Sequence, residues 1–173
     1  MDTEEVILVN EWDHPIGTMG KLEAHRLGSL HRAFSVFVFN DEDELLVHRR
    51  ADGKYHSTGL WTNTCCSHPR PGEKIMNAAH RRLREEMGFD CPLINAFQFK
   101  YKADVGNGLV EHEHDHVFIG QFNGEPCPNE NEVSEWKFVS MDDLKLKLKN
   151  QSEDFTSWFR IALPVVEEWI TIN

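Results

Sequence analysis

A mixed α/β fold, with helices flanking a sheet of both strand orientations, is what this sequence predicts. Strand-like and helix-like segments interleave along the chain with no repeat or low-complexity tract, which favours a mixed sheet covered by helices. Ala33-Phe-Ser-Val-Phe-Val-Phe39 is nearly continuous in apolar, β-favouring residues, as expected of a strand buried on both faces. Between Glu73 and Met87 the apolar residues Met76, Ala79, Leu83 and Met87 instead recur at three and four positions, the period of a helix face. At 173 residues the chain can build one substantial core but hardly two, so one domain over residues 1–173 is expected.

The elements follow in order. Glu5-Val-Ile-Leu-Val-Asn10 reads as a first strand, and Asp13-His-Pro-Ile-Gly17 carries the turn residues that would reverse it. Lys21 to His25 is expected to form a helical turn. After the buried strand, Asn40-Asp-Glu-Asp-Glu44 makes a polar turn into Leu45-Leu-Val47. Gly53 and Gly59 break any regular pattern between Arg50 and Thr64, leaving a loop free to bind something. The helix from Glu73 to Met87 stops at Gly88, a residue suited to the left-handed turn that ends helices. Phe97 to Tyr101 and Leu109 to Phe122 read as two strands joined through Asp104-Val-Gly-Asn-Gly108, and Glu135 to Val139 as another. Two helices follow, Met141 to Lys149 and Phe155 to Trp169, with Lys145 to Lys149 on a solvated face.

Eighteen basic against twenty-nine acidic side chains give a formal charge of -11, which repels nucleic acid and anionic membrane unless cations are gathered locally. No nucleic-acid partner and no membrane insertion are expected. The opening Met-Asp-Thr-Glu-Glu has no basic, apolar leader, and no apolar stretch approaches the length needed to span a bilayer. The four cysteines, at 65, 66, 91 and 127, match neither a zinc ribbon nor an unstrained bridge between the adjacent pair. Free thiols in a cytoplasmic, reducing compartment fit better, with Cys91 and Cys127 as structural residues. A monomer is the expected state.

Side chains alternate along a strand, so Glu111, Glu113 and Asp115 share one face, while His112, His114 and His116 share the other. Clustered carboxylates resist joint ionisation, so a cation holds them, one carries a proton, or the face is wet. The histidine stripe reads more simply as surface than as ligands. His25, His31 and His68 lie N-terminal to the acidic strand, and imidazole with carboxylate suits Mn2+, Mg2+ or Zn2+, although spacing alone does not join them. Cys66 sits beside His68 in Trp61-Thr-Asn-Thr-Cys-Cys-Ser-His-Pro69, on the same side if the segment is extended. Arg82 and Glu86, one helical turn apart, can form a surface ion pair or serve a phosphate and its cation. Arg50 and Lys54 can reach the same anion from the loop. Trp158 belongs to an apolar helix face, yet an indole can also stabilise a cation, and the Tyr101 hydroxyl can orient a carboxylate.

Together, Lys21-Leu-Glu-Ala-His25, Leu30-His-Arg-Ala-Phe34, Leu46-Val-His-Arg-Arg50, the Cys66 segment, Tyr101, Val110-Glu-His-Glu113 and Phe155-Thr-Ser-Trp158 resemble, in that order, the type I isopentenyl diphosphate isomerases of the Nudix superfamily. The resemblance spans nearly the whole chain and implies a Nudix-type α/β/α sandwich whose signature helix is Glu73 to Met87. Glu73, Arg81, Leu83, Glu85, Glu86, Gly88 and Phe89 fit the superfamily pattern, whereas Arg82 replaces a Glu and Ser67 stands where a Gly is expected. Losing a carboxylate and gaining a cation weakens a hydrolytic metal cluster and favours grip on an intact diphosphate. Serine is small, and its presence is expected to be tolerated.

By that resemblance, His25, His31, His68, Glu111 and Glu113 bind one divalent cation, Mn2+, Mg2+ or Zn2+. Lys21, Arg50, Lys54 and Arg82 grip the diphosphate, with Mg2+ bridging its oxygens near Glu86. Glu113 with Tyr101 on one side and Cys66 on the other flank the alkene of a small allylic or homoallylic diphosphate, and Trp158 faces the cationic carbon. The implied reaction converts isopentenyl diphosphate to dimethylallyl diphosphate in isoprenoid biosynthesis. Two other readings stay open on the residues alone: a Nudix hydrolase using Glu73, Glu85 and Glu86, and an inert metal-binding protein whose site is the His112 to His116 stripe.

Overall fold

The structure, a computed structural model, describes residues 4–173; the acidic opening Met1 to Thr3 lies outside them. Strands β1 (Glu5–Val9) and β2 (Pro15–Gly20) form a hairpin, and helix α1 (Lys21–Leu27) ends at Gly28. Strands β3 (His31–Phe39) and β4 (Glu44–Arg50) come next, then the short strands β5 (Trp61–Thr62) and β6 (Cys65–Ser67). Helix α2 (Ile75–Met87) leads to β7 (Leu93–Gly106), β8 (Leu109–Gln121) and β9 (Val133–Ser140). Helices α3 (Met141–Asn150) and α4 (Ser157–Ile172) close the chain. None of the helices among the described residues is long and apolar enough to cross a membrane.

β3 organises the sheet. It runs antiparallel to β1, β4 and β6, and parallel to β8 from His31 opposite Glu113 to Phe39 opposite Gln121. Its apolar side chains divide by parity, as a two-sided strand requires. Phe34, Val36 and Val38 pack with Ala78, Ala79, Leu83 and Met87 of α2, while Phe37 and Phe39 pack with Phe159, Ala162, Leu163 and Val166 of α4. The sheet is therefore covered on both sides, as the uninterrupted Ala33–Phe39 run predicts. Leu144 of α3 joins the second core, and Ser140 caps that helix by accepting from Asp143 N at 3.2 Å.

Three expectations need correction. The stretch from Arg50 to Thr64 is not irregular throughout, because β5 pairs with β4 through Thr62 and His48. α2 begins at Ile75, two residues after Glu73; Glu73 instead accepts from Arg70 N at 2.8 Å and from Arg81 at 2.8 and 3.0 Å, so it closes the preceding turn. The last helix starts after Phe155, whose backbone bridges Trp61.

Gly88 ends α2 with φ 73°, and its N–H closes on Arg84 O. A Cβ built there would lie 2.0 Å from the carbonyl oxygen of Cys127. Gly88→Ala is thus expected to destabilise the protein by more than the ~1–2 kcal/mol cost of a left-handed alanine. Urea unfolding checks this, and a midpoint equal to that of the parent would show that the 120s segment yields freely.

Candidate active site

The site is assembled by strand register. Parallel pairing of β3 and β8 sets His31 opposite Glu113, and antiparallel pairing of β7 and β8 sets Tyr101 opposite Glu113. β6 lies along β3 with Ser67 opposite Phe34 and Cys66 opposite Ser35, which carries His68 toward the same end. Ser67 is extended and has no positive φ, so its backbone does not require glycine. Gly28, at φ 65°, turns the chain from α1 into β3 and so brings His25 beside His31, with ring centroids 5.1 Å apart.

His25, His31, His68 and Glu113 each offer a ligand atom within 4.8 Å of the others. Nδ1 of His25 lies 2.7 Å from Lys21 O and Nδ1 of His31 lies 2.8 Å from Ser29 O. A carbonyl only accepts, so both Nδ1 atoms carry a proton, and each Nε2, a lone pair when its ring is neutral, points inward. Nε2 of His31 then faces Nε2 of His68 at 3.2 Å and Glu113 Oε1 at 3.4 Å, while Nε2 of His25 is buried without a hydrogen-bond partner among the described residues. Donors roughly 3 Å apart are spaced as neighbours on one cation with bonds of about 2.1 Å. The residues fit a divalent cation.

Carboxylates complete the cluster. Tyr101 Oη lies 2.7 Å from Glu111 Oε2 and 2.6 Å from Glu113 Oε2, and its single proton satisfies only one of them at a time. Burial works against the Glu113 charge, but contact with the His31 and His68 imidazoles prevails and holds it well below the usual carboxylate range. Burial pushes His68 down to about 4, against the pull of Glu113. Asp115, buried beside Glu113, is raised well above its ordinary value and accepts from Ser35 Oγ at 2.8 Å.

A second group of charges lies around α2. Arg82 donates to Glu85 at 2.8 Å, to Glu86 at 3.1 Å and to Glu132, which also accepts from Lys54 at 3.2 Å. Lys21 pairs with Glu4 at 3.1 Å, and Arg50 lies 5.3 Å over the Trp158 ring with its Nε buried and without a hydrogen-bond partner among the described residues. Burial raises Glu86 against the opposing pull of Lys54 and Arg82.

Both groups meet in one cavity of about 310 Å³ whose lining includes Lys21, His25, Arg50, Lys54, Cys66, His68, Arg82, Tyr101, Glu111, Glu113 and Trp158. Burial and the nearby Glu86 keep Cys66 a thiol. Asn63 fixes its surroundings: its Nδ2 donates to Cys65 O at 2.8 Å and to Val36 O at 3.1 Å, while its Oδ1 accepts from Trp158 Nε1 at 3.1 Å. Trp158 is 3 % exposed, so it belongs both to a packed helix face and to the cavity wall.

Several of these residues escaped the sequence reading. Glu132 lies in a segment with no periodic or motif signal, and Asn63, although inside the Trp61–Pro69 motif, carries no residue-type signal of its hydrogen-bonding role. His48 is fully buried, pushed down to about 3 by burial and Arg50, with Nε2 3.5 Å from Glu86 Oε1. His56 lies 3.0 Å from Glu111 Oε1 and meets the Trp158 ring edge-on at 6.0 Å, and its backbone oxygen accepts from Arg50 at 3.3 Å. The histidine stripe also needs correcting: His116 is buried and His112 and His114 are half-buried, so this is not a solvated surface.

A NUDIX domain model matches residues 29–159. An isopentenyl-diphosphate Delta-isomerase 2 of Photorhabdus laumondii is 50% identical over 171 residues, covering 96% of this chain and 97% of the relative. One of Aromatoleum aromaticum is 49% identical, covering 98% and 90%. The chain belongs to the isopentenyl-diphosphate Delta-isomerase family. Its Nudix fold is shared by the Deinococcus radiodurans protein DR0079, with a TM-score of 0.72 at 19% identity over 86% of this chain and 90% of that one. A MutT protein of Methanosarcina mazei gives a TM-score of 0.67 at 18% identity, covering 80% and 94%. The α/β/α expectation therefore holds.

His56 braces Glu111 from outside the predicted ligand set, and loss of such a partner typically costs about 10–100-fold in metal affinity or activity. His56→Phe is expected to fall in that range in steady-state assays, with His56→Gln recovering part of the loss by restoring a donor. Equal rates for the parent and the Phe variant would remove His56 from the site.

Proposed function

We infer that this chain shifts the double bond of isopentenyl diphosphate to give dimethylallyl diphosphate, using Cys66 and the Glu113–Tyr101 pair for two proton transfers. The reading rests on one observation above all: Cys66, Tyr101, Glu113 and Trp158 line the same cavity as Lys21, Arg50, Lys54 and Arg82. Cationic side chains suit a diphosphate, and the remaining wall suits a five-carbon alkene. One proton is added to an alkene carbon, a tertiary carbocation forms, and a proton leaves the neighbouring carbon. Cys66 and Glu113 are the two groups that give and take these protons, and Tyr101 holds the Glu113 carboxylate in line.

The Trp158 ring faces the developing positive charge, worth about 0.5–2 kcal/mol or more with water excluded. Arg50 over that ring draws the diphosphate end close to it. Lys54 and Arg82 exchange Glu132 for phosphate oxygens when substrate enters, so the cavity keeps its cations neutralised until then. A divalent cation held by His25, His31, His68, Glu111 and Glu113, whether Mn2+, Mg2+ or Zn2+, would fix Glu113 and tune its proton affinity. Mg2+ carried by the diphosphate would sit beside Glu86. Four cysteines without a disulfide support a cytoplasmic setting, and we read residues 1–173 as one domain acting as a monomer.

Incubation with isopentenyl diphosphate and Mg2+ in heavy water, followed by proton NMR, tests the reaction. Rearranged alkene carrying solvent deuterium is expected; release of phosphate or a monophosphate would mark a hydrolase instead. Cys66→Ala is expected to keep diphosphate binding while losing roughly 10²–10⁴-fold in turnover. Arg82→Glu is expected to weaken substrate binding by about tenfold or more, because a charge-assisted hydrogen bond is worth about 1.5–3 kcal/mol. Calorimetric titration with the substrate reads both.

A further inference from the structure

On the face of β8 opposite Glu111, Glu113 and Asp115, His114 and His116 stand with ring centroids 5.6 Å apart. Nε2 of His116 is 2.8 Å from Asp13 Oδ2, and Nε2 of His114 is 2.8 Å from Gln98 Oε1. Carboxylate and amide oxygens only accept, so each Nε2 carries the proton and each Nδ1 of the neutral ring is a bare lone pair. Both Nδ1 atoms are buried and have no hydrogen-bond partner among the described residues. His116 as a whole is 6 % exposed. An imidazole anchored through one N–H on an oxygen, with the other nitrogen free, is oriented as metal-binding histidines are.

Asp13 is itself held in place. It adopts φ 63° at the turn between β1 and β2, and Arg32 grips it twice, Nε to Oδ1 at 2.9 Å and Nη2 to its carbonyl at 2.6 Å. One donor atom from each of Asp13, His114 and His116 lies within 4.8 Å of the others. Asp13 and His116 also line a groove with Ile7, Pro15 and Thr18 of the β1–β2 hairpin and Lys74 and Ile75 at the start of α2.

We propose that His114 and His116 form a second metal site, separate from the catalytic cavity, that takes a borderline transition cation such as Cu2+, Ni2+ or Zn2+. Asp13 orients His116 and offsets part of the charge. The donor set decides the class of ion. Two imidazoles favour these metals in the order Cu2+ above Ni2+ and Zn2+, whereas Mg2+ and Ca2+ need several oxygens, and here the one carboxylate is already shared with Arg32. A bound cation would fasten the turn carrying Asp13 to the strand that bears Glu113 on its other side.

Metal-free protein titrated with Ni2+ alone, in competition with a chromophoric chelator, tests the site. His114→Ala and His116→Ala are each expected to bind one equivalent fewer than the parent and to keep its isomerase rate with Mg2+ as the only added metal. The parent protein provides a check that needs no variant. Long-range proton–nitrogen NMR is expected to show the Nδ1 signals of His114 and His116 moving as Zn2+ is added, with Mg2+ leaving them in place. Unchanged stoichiometry in both variants, or Nδ1 signals indifferent to Zn2+, would overturn the proposal.

Discussion

The parallel pairing of β3 with β8 is the constraint from which the rest of the site follows. It sets His31, fully buried, against Glu113, 5 % exposed, in the protein interior. His25 and His68 crowd the same point, with their lone pairs and the carboxylate converging on one small volume. Such a collection of electron-rich atoms is costly to bury unless a positive charge sits among them. The fold thus creates a demand for a cation, and the two backbone carbonyls behind His25 and His31 turn that demand toward a metal.

Charge balance also governs the other side of the cavity. The protein is strongly acidic, yet Lys21, Arg50, Lys54 and Arg82 gather around one opening. Glu4, Glu85, Glu86 and Glu132 hold three of these cations in place before substrate arrives. On the proposed reading, a diphosphate would replace existing partners, and its net benefit would be smaller than its charge alone implies. The loop between β4 and β5 links the two halves: Arg50 holds the backbone of His56, and His56 holds Glu111. Anything that seats the loop on a diphosphate also bears on the carboxylates around the metal position.

The sequence made the frame of this arrangement legible because the frame depends on periodicity. Ala33 to Phe39 showed burial on both faces, and α2 showed its period and its glycine stop, so a sheet covered on both sides was visible in outline. The proposed ligands were not legible from spacing, since His25, His31, His68 and Glu113 come from four separate segments joined only by register. There only the resemblance of the ordered motifs suggested that they belong together, and the structure brings them within 4.8 Å of one another. His56, Asn63 and Glu132 stayed hidden because their roles depend on where a loop or a turn comes to rest. The alternation in β8 correctly separated carboxylates from histidines, but it could not tell that the β1–β2 turn would cover His116 through Asp13.

Anomalous diffraction from crystals loaded with one equivalent of Mn2+ is the most direct test of the central claim. The account predicts one strong peak enclosed by His25, His31, His68, Glu111 and Glu113, in the cavity that Cys66 also lines. A peak remote from those side chains, with the imidazoles still bonded to one another, would contradict it.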